Sequence, residues 1–83
     1  MIWKYQLSIT DDVQMIEMPA GAKIVYVDAQ FGAPCLWAIV DARRGKEERR
    51  FVIHGTGHTV TALGPYVGTV LIQQFVWHIF ETY

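Results

Sequence analysis

Apolar and polar residues alternate with a period of two along much of this 83-residue chain. The alternation is clearest over residues 2–9, where Trp3, Tyr5, Leu7 and Ile9 share one side. Successive side chains of a β-strand point to opposite faces. The pattern therefore predicts a strand with one buried face.

Two more strands are predicted before residue 32. Residues 13–18 favour a strand with Ile16 and Met18 inward, which ends before Pro19 because proline cannot donate to a strand ladder. Residues 24–31 alternate in the same way, and their predicted inward side chains are Val25, Val27, Ala29 and Phe31.

The stretch 34–58 predicts a β-hairpin around which the other strands are arranged. Apolar residues occupy both alternating sets of residues 35–42, which is typical of a strand covered on both faces. Residues 49–55 alternate instead, so they predict a half-exposed strand in which Val52 and His54 face away from the core.

The last third of the chain predicts a loop followed by two strands. Residues 55–65 contain three glycines and a proline, which favours a loop with at most one helical turn. Residues 66–72 and 75–83 are the strands, separated by Gln73 and Gln74. Glutamine is a poor turn residue, so one long bent strand or a helix stays open here.

These elements predict an all-β fold, a small antiparallel sandwich or barrel of six to seven strands. The chain length suits a single compact domain over residues 1–83. Hydrophobic residues make up 52% of the chain, enough for a core without disulfides. Cys35 is the single cysteine, and we expect it to be a small core residue.

Charge is unevenly distributed, although the net charge is only −1. Five of the seven basic residues, opposed by Glu47 and Glu48, fall in one eight-residue span, here called the basic tip: Arg43, Arg44, Lys46, Arg49 and Arg50. The tip is a candidate for contact with an acidic protein surface, or with nucleic-acid phosphates, with Tyr26 or Trp37 as a stacking platform. The more ordinary interpretation is a solvated hairpin tip whose charges keep a strand edge from aggregating. The alternative partner-binding surface, here called the acidic set, would imitate phosphates toward a basic groove and comprises Asp11, Asp12, Glu17 and Asp28.

No catalytic, cofactor or metal site is predicted. His54 and His58, with His78 as a third ligand, suggest zinc, but positions four apart on a strand lie roughly 13 Å apart. The more ordinary interpretation is that these histidines lie on the surface or bind backbone. The only serine, Ser8, has no predicted base beside it, so we expect no enzyme activity.

Neither a run of about 20 apolar residues nor a secretory signal pattern is found, so we expect a cytoplasmic protein without a membrane span.

The segments I-W-K-Y, E-M-P-x-G-A-K-I, P-C-L-W-A and G-T-G-H occur between residues 2 and 58, and VGTVLIQQFVWHIFE follows at residues 67–81. With them the chain resembles, over nearly its whole length, a family of short phage- and prophage-encoded proteins of unknown function. The resemblance implies no chemistry. Small accessory proteins of this kind often bind host macromolecules, and inhibitors of bacterial defence, including anti-CRISPR proteins, are prominent among them.

The leading hypothesis is therefore a non-enzymatic accessory protein that binds and inhibits a host protein or ribonucleoprotein complex in the host cytoplasm, in the manner of an anti-CRISPR inhibitor. One alternative is a small homo-oligomeric assembly protein, a homodimer for example, joined through an exposed edge of residues 75–83. Another is a weak nucleic-acid-binding module that uses the basic tip. A metal-dependent or nucleotide-handling enzyme centred on His54 and His58 is the least favoured.

Overall fold

A computed structural model describes all residues 1–83 and contains seven β-strands. The strands are β1 (Ile2–Gln6), β2 (Gln14–Pro19), β3 (Lys23–Gln30), β4 (Ala33–Ile39), β5 (Lys46–Gly55), β6 (Tyr66–Ile72) and β7 (Phe75–Thr82). All their pairings are antiparallel. β1, β4 and β3 form a three-stranded sheet, here sheet A, and β2, β5, β7 and β6 form a four-stranded sheet B. This arrangement confirms the predicted all-β sandwich.

The two sheets pack face to face over one apolar core. Inward positions along the strands fill it, as the period-two pattern predicts. The buried cluster consists of Leu7, Met18, Ala22, Leu36, Ala38, Val40, Phe51, Ile53, Val70, Ile72 and Ile79. Where β3 crosses β6, Gly68 brings the sheets unusually close, because a Cβ at this position would lie 2.8 Å from Val27 Cγ2.

The predicted hairpin over residues 34–58 is wrong. β4 lies between β1 and β3 in sheet A, whereas β5 lies between β2 and β7 in sheet B. The connecting residues leave β4 after Ile39 and cross to the other sheet through a turn closed by the Arg44 N–H, which donates to the Asp41 carbonyl. The alternation specified which face of each strand is buried, but it contained no information about which strand lies alongside.

The predicted half-exposure of β5 is also wrong, because Val52 and His54 are buried. The loop 56–65 lies over this outward face of sheet B. Its Thr61 N–H donates to His54 Nε2 at 3.2 Å, and its Leu63 N–H donates to the hydroxyl of Thr82 at 3.1 Å. The loop thus shields side chains that the strand pattern alone places in solvent.

Several predicted strands also differ in their ends or in their course. β1 ends at Gln6 and leaves Ile9 in an exposed loop. In β3 a bulge between Ile24 and Tyr26 turns Val25 outward, which corrects the prediction that Val25 is inward. β2 retains Pro19, which is tolerated because β2 is an edge strand.

The C-terminal segment forms two strands and not one bent strand or helix. β6 and β7 pair from Ile72 and Phe75 onward, so Gln73 and Gln74 are the two residues of a tight hairpin, with Gln73 at φ 57°. β7 lies between β5 and β6 in sheet B. The prediction that residues 75–83 form an exposed edge is therefore wrong, because β7 is an internal strand. The free edge on this side of sheet B is β6.

Phe31, predicted to be inward, is 98% exposed in the turn between β3 and β4. Gln30 pairs with Ala33, so Phe31 and Gly32 are the central residues of a two-residue hairpin, and both have positive φ (51° and 77°). That geometry is the type I′ turn, which Asn-Gly fits best and which strains a bulky side chain.

We predict that Phe31→Asn raises the free energy of unfolding by about 1 kcal/mol, because it relieves the strained φ without removing a buried contact. The midpoint of thermal unfolding would rise by roughly 4–8 °C. Gly32→Ala, which adds a Cβ at φ 77°, is the opposing control and should lower the midpoint. An unchanged or lower midpoint for Phe31→Asn would contradict the turn geometry.

Candidate functional site

The basic tip does not form one surface. Arg43 donates to the Asp41 carboxylate through Nε and Nη2, both at 3.0 Å, within the turn that leaves β4. These side-chain hydrogen bonds are the main reason that the pKa of Asp41 lies below its usual value. The hydrogen bond from the Arg43 backbone N–H lowers the pKa of Asp41 further. Arg43 is therefore paired locally.

Arg49 points inward from β5 and forms hydrogen bonds within the fold. Its Nε lies 2.7 Å from Glu81 Oε2 and its Nη2 lies 2.9 Å from Oε1, while Nη1 donates to the carbonyl of Ala22. The hydrogen bond to Glu81 raises the pKa of Arg49 above its ordinary value. All three nitrogens of this guanidinium are hydrogen-bonded within the chain.

The three other cations of the tip have no carboxylate within 4 Å. Lys46 and Arg50 lie on the outward face of sheet B, but Glu48 lies between them on the same face and opposite Glu17. The Arg44 guanidinium lies against the turn at Gly21. Basic and acidic groups therefore alternate here.

The acidic set is divided between the two sides of the sandwich. Asp11 and Asp12 lie in the loop between β1 and β2, and Glu17 lies on the outward face of sheet B. Asp28 lies on sheet A, opposite Cys35 of β4. No single partner surface can contact all four without enclosing the protein.

Two of the three histidines, His54 and His78, lie on the outward side of sheet B. His54 faces His78 across β5 and β7. Both ring nitrogens of His78 are hydrogen-bonded, Nε2 to the Thr56 hydroxyl at 2.9 Å and Nδ1 to the Thr69 hydroxyl at 3.2 Å. His58 packs edge-on against Trp77, with 6.3 Å between ring centroids. No group of three or more His, Cys, Asp or Glu side chains is placed to hold a metal ion.

The outward face of sheet A carries exposed apolar and aromatic side chains. Ile2 pairs with Ile39, and Trp37 lies between Lys4 and Tyr26 across three strands. The rings of Tyr26 and Trp37 have centroids 5.5 Å apart and planes tilted by 52°. We call the apolar residues of this surface the sheet A face: Ile2, Tyr26, Trp37 and Ile39. All except the half-buried Trp37 are exposed.

Polar groups surround the sheet A face. Lys4 Nζ donates to Gln30 Oε1 at 2.6 Å, which places its chain across β4 above Cys35, and Cys35 is fully buried although it points outward. Lys23 lies beside Ile39. The Tyr26 hydroxyl donates to Asp28 Oδ2 at 2.8 Å, and this bond raises the pKa of Tyr26. The face is therefore an apolar and aromatic centre with a charged rim.

Sequence reasoning found part of this surface. It singled out Tyr26 and Trp37 as stacking candidates and Asp28 as a partner-binding residue, but not Ile2, Lys4, Lys23 or Ile39. The missing signal is the pairing of β1 and β3 with β4, which places residues far apart in sequence side by side.

A family model matches the chain over residues 1–83, and it describes a domain of unknown function, DUF7352. The chain belongs to this family. No curated protein and no solved structure matches the DUF7352 chain. The family description assigns no activity. A helix able to span a membrane is absent from the structure.

Proposed function

We propose that the DUF7352 chain is a non-enzymatic binding protein whose sheet A face contacts a protein partner. The observation that carries this proposal is the stripe of exposed apolar and aromatic side chains across three strands, with charges confined to its rim. Protein interfaces have this composition, since their centres are enriched in aromatic residues and depleted of charge. A contiguous exposed apolar patch on a small domain commonly marks such a contact.

The chemistry of the sheet A face favours protein over nucleic acid. Asp28 holds a carboxylate against the hydroxyl of Tyr26, where a phosphate backbone following the aromatic rings would be repelled. The 52° tilt between the two rings does not present two parallel surfaces to successive bases. Ile2 and Ile39 supply aliphatic contacts, which suit an apolar surface on a protein.

The complementary partner surface has an apolar recess opposite Trp37 and Ile39. Carboxylates on either side of that recess would face Lys4 and Lys23. Such charge pairs at a rim contribute mainly to the rate and specificity of association.

We further propose that the DUF7352 chain is a phage or prophage accessory protein. It would act in the host cytoplasm by covering a functional surface of a host complex, as anti-CRISPR inhibitors do. This part rests on the resemblance of the sequence segments to phage-encoded proteins and on the proposed interaction surface. Binding to such a surface requires no catalysis, cofactor or metal.

The binding proposal is tested by capture from nuclease-treated bacterial lysate with immobilised wild type and with Ile39→Lys. Ile39 is 47% exposed, so the fold tolerates lysine there, but the charge lies at the centre of the proposed interface. We expect at least a tenfold loss of the captured protein, in line with the cost of damaging an interface centre.

Val60→Lys is the matched control, since Val60 is 56% exposed in the loop over sheet B. This variant should capture as much partner as the wild type does. Equal capture by all three proteins would overturn the assignment to sheet A. Loss of capture only for the double variant Arg44→Glu/Arg50→Glu would instead identify the basic tip as the site. Binding that disappears with nuclease would indicate the nucleic-acid alternative.

The inhibitory role needs its own measurement. Expression of the wild-type chain in a host that restricts a phage through a CRISPR effector should restore plaque formation, and Ile39→Lys should not. If the chain captures a partner but never restores plaques, the anti-CRISPR proposal fails while the binding role remains.

A further inference from the structure

The whole of β6, and β7 as far as Phe80, lie in a long stretch without charge. No aspartate, glutamate, lysine or arginine occurs between Phe51 and Phe80, a span of 30 residues. The chain has 15 such residues in total, 7 basic and 8 acidic, so all of them lie outside this span. β6 therefore presents an uncharged edge of sheet B to solvent.

The other three sheet edges carry the features by which natural proteins prevent edge-to-edge association. β1 has Lys4, and β2 has Glu17 and Pro19. β3 has Lys23, Asp28 and the bulge after Ile24. Pairing any of these edges with its own copy brings like charges together or interrupts the ladder.

β6 has a bulge only at its beginning, between Tyr66 and Gly68. From Gly68 to Ile72 its pairing with β7 is regular. The hydrogen bonds outside the strand ladders involve no backbone group of residues 68–72. On the side away from β7, this segment therefore offers unpaired N–H and C=O groups in an extended conformation.

We propose that a second copy of this chain pairs with the β6 edge in antiparallel orientation. An isologous contact about a two-fold axis places the same residues of two protomers near one another. Such a contact is unfavourable for a charged edge but not for this uncharged one. The two four-stranded sheets then form one continuous sheet of eight strands, and the exposed Leu71 beside the edge is partly buried.

This inference does not depend on the function proposed above. The β6 edge belongs to sheet B, and the sheet A face is on the other sheet. A dimer formed in this way presents two copies of the sheet A face. If each contacts one partner, the second contact becomes intramolecular and the avidity rises.

Sedimentation velocity over a range of concentrations tests the proposal with Leu71→Lys and Met15→Lys. Both positions are apolar residues of edge strands of sheet B with similar exposure, 64% for Leu71 and 60% for Met15. The wild-type mass should rise with concentration from 9.5 kDa toward twice that value. Leu71→Lys should weaken this association at least tenfold, whereas Met15→Lys should associate as the wild type does.

A wild type that remains monomeric at millimolar concentration would overturn the inference. Equal association of all three proteins would show that any dimer uses another surface. A second measurement is independent of the variants, namely hydrogen exchange of the wild-type amides of residues 68–72. We expect their protection to increase with protein concentration, and constant protection would also contradict pairing at this edge.

Discussion

Phe51→Ala is expected to remove about 4 kcal/mol from the free energy of unfolding, within the range for truncating a buried phenylalanine. Phe51 is fully buried in the cluster between the two sheets, and it lies on β5, an internal strand of sheet B. An 83-residue domain has a total stability of roughly 4–12 kcal/mol. The substitution would therefore remove between about a third and all of the stability of such a domain.

Denaturant unfolding followed by tryptophan fluorescence measures this effect, with Phe31→Ala as the matched control. Both variants lose the same phenyl ring, but the Phe31 ring lies in solvent. Phe31→Ala should change stability by about 0.5 kcal/mol or less. If the two variants had similar midpoints, the packing described for β5 would be incorrect.

The strands themselves were predictable from the period of apolar residues. The inward positions of Trp3, Tyr5, Ile16 and Met18 follow from alternation alone, because a strand in a sandwich buries one face. The hairpin of β6 and β7 was harder to predict. Gln73 adopts a positive φ that its residue type does not favour, and the pairing of the flanking strands imposes it.

Strand pairing was not predictable, and the failure is clearest for β4 and β5. Apolar residues on both faces of β4 indicate that both faces are buried. A position in either sheet could bury them, so the pattern does not identify the sheet. The burial of Val52 and His54 depends on a loop that begins after Gly55 and carries no periodic signal. Non-local contacts of this kind leave almost no signature within a single strand.

The same limit applies to the candidate sites. The basic tip is contiguous in sequence, yet alternation along β5 sends Arg49 into the sandwich and Arg50 out of it. The sheet A face shows the reverse, since Ile2 and Ile39 are 37 positions apart in the numbering and pair directly. Charge clustering in a sequence is therefore a poor guide to a surface whenever the cluster lies on a strand.

The ion pair of Arg49 and Glu81 leads to the second large prediction. Both side chains are largely buried, and their contacts join β5 to β7 and to the turn at Ala22. Arg49→Met keeps most of the aliphatic volume but leaves the Glu81 carboxylate without its partner. We expect a loss of about 2–3 kcal/mol, somewhat below the cost of breaking a fully buried pair.

A double-mutant cycle with Glu81→Met separates this loss of pairing from loss of volume. If the pair acts as described, Arg49→Met/Glu81→Met should be less destabilised than the sum of the single variants, because no uncompensated charge remains. Arg50→Met is the control, since Arg50 is the exposed neighbour on β5 without a carboxylate partner, and it should change stability by about 0.5 kcal/mol or less. Equal effects of Arg49→Met and Arg50→Met in denaturant unfolding would mean that Arg49 is a surface cation after all. In that case the basic tip would regain a charge, and its assignment as the partner-binding site would gain support over the sheet A face.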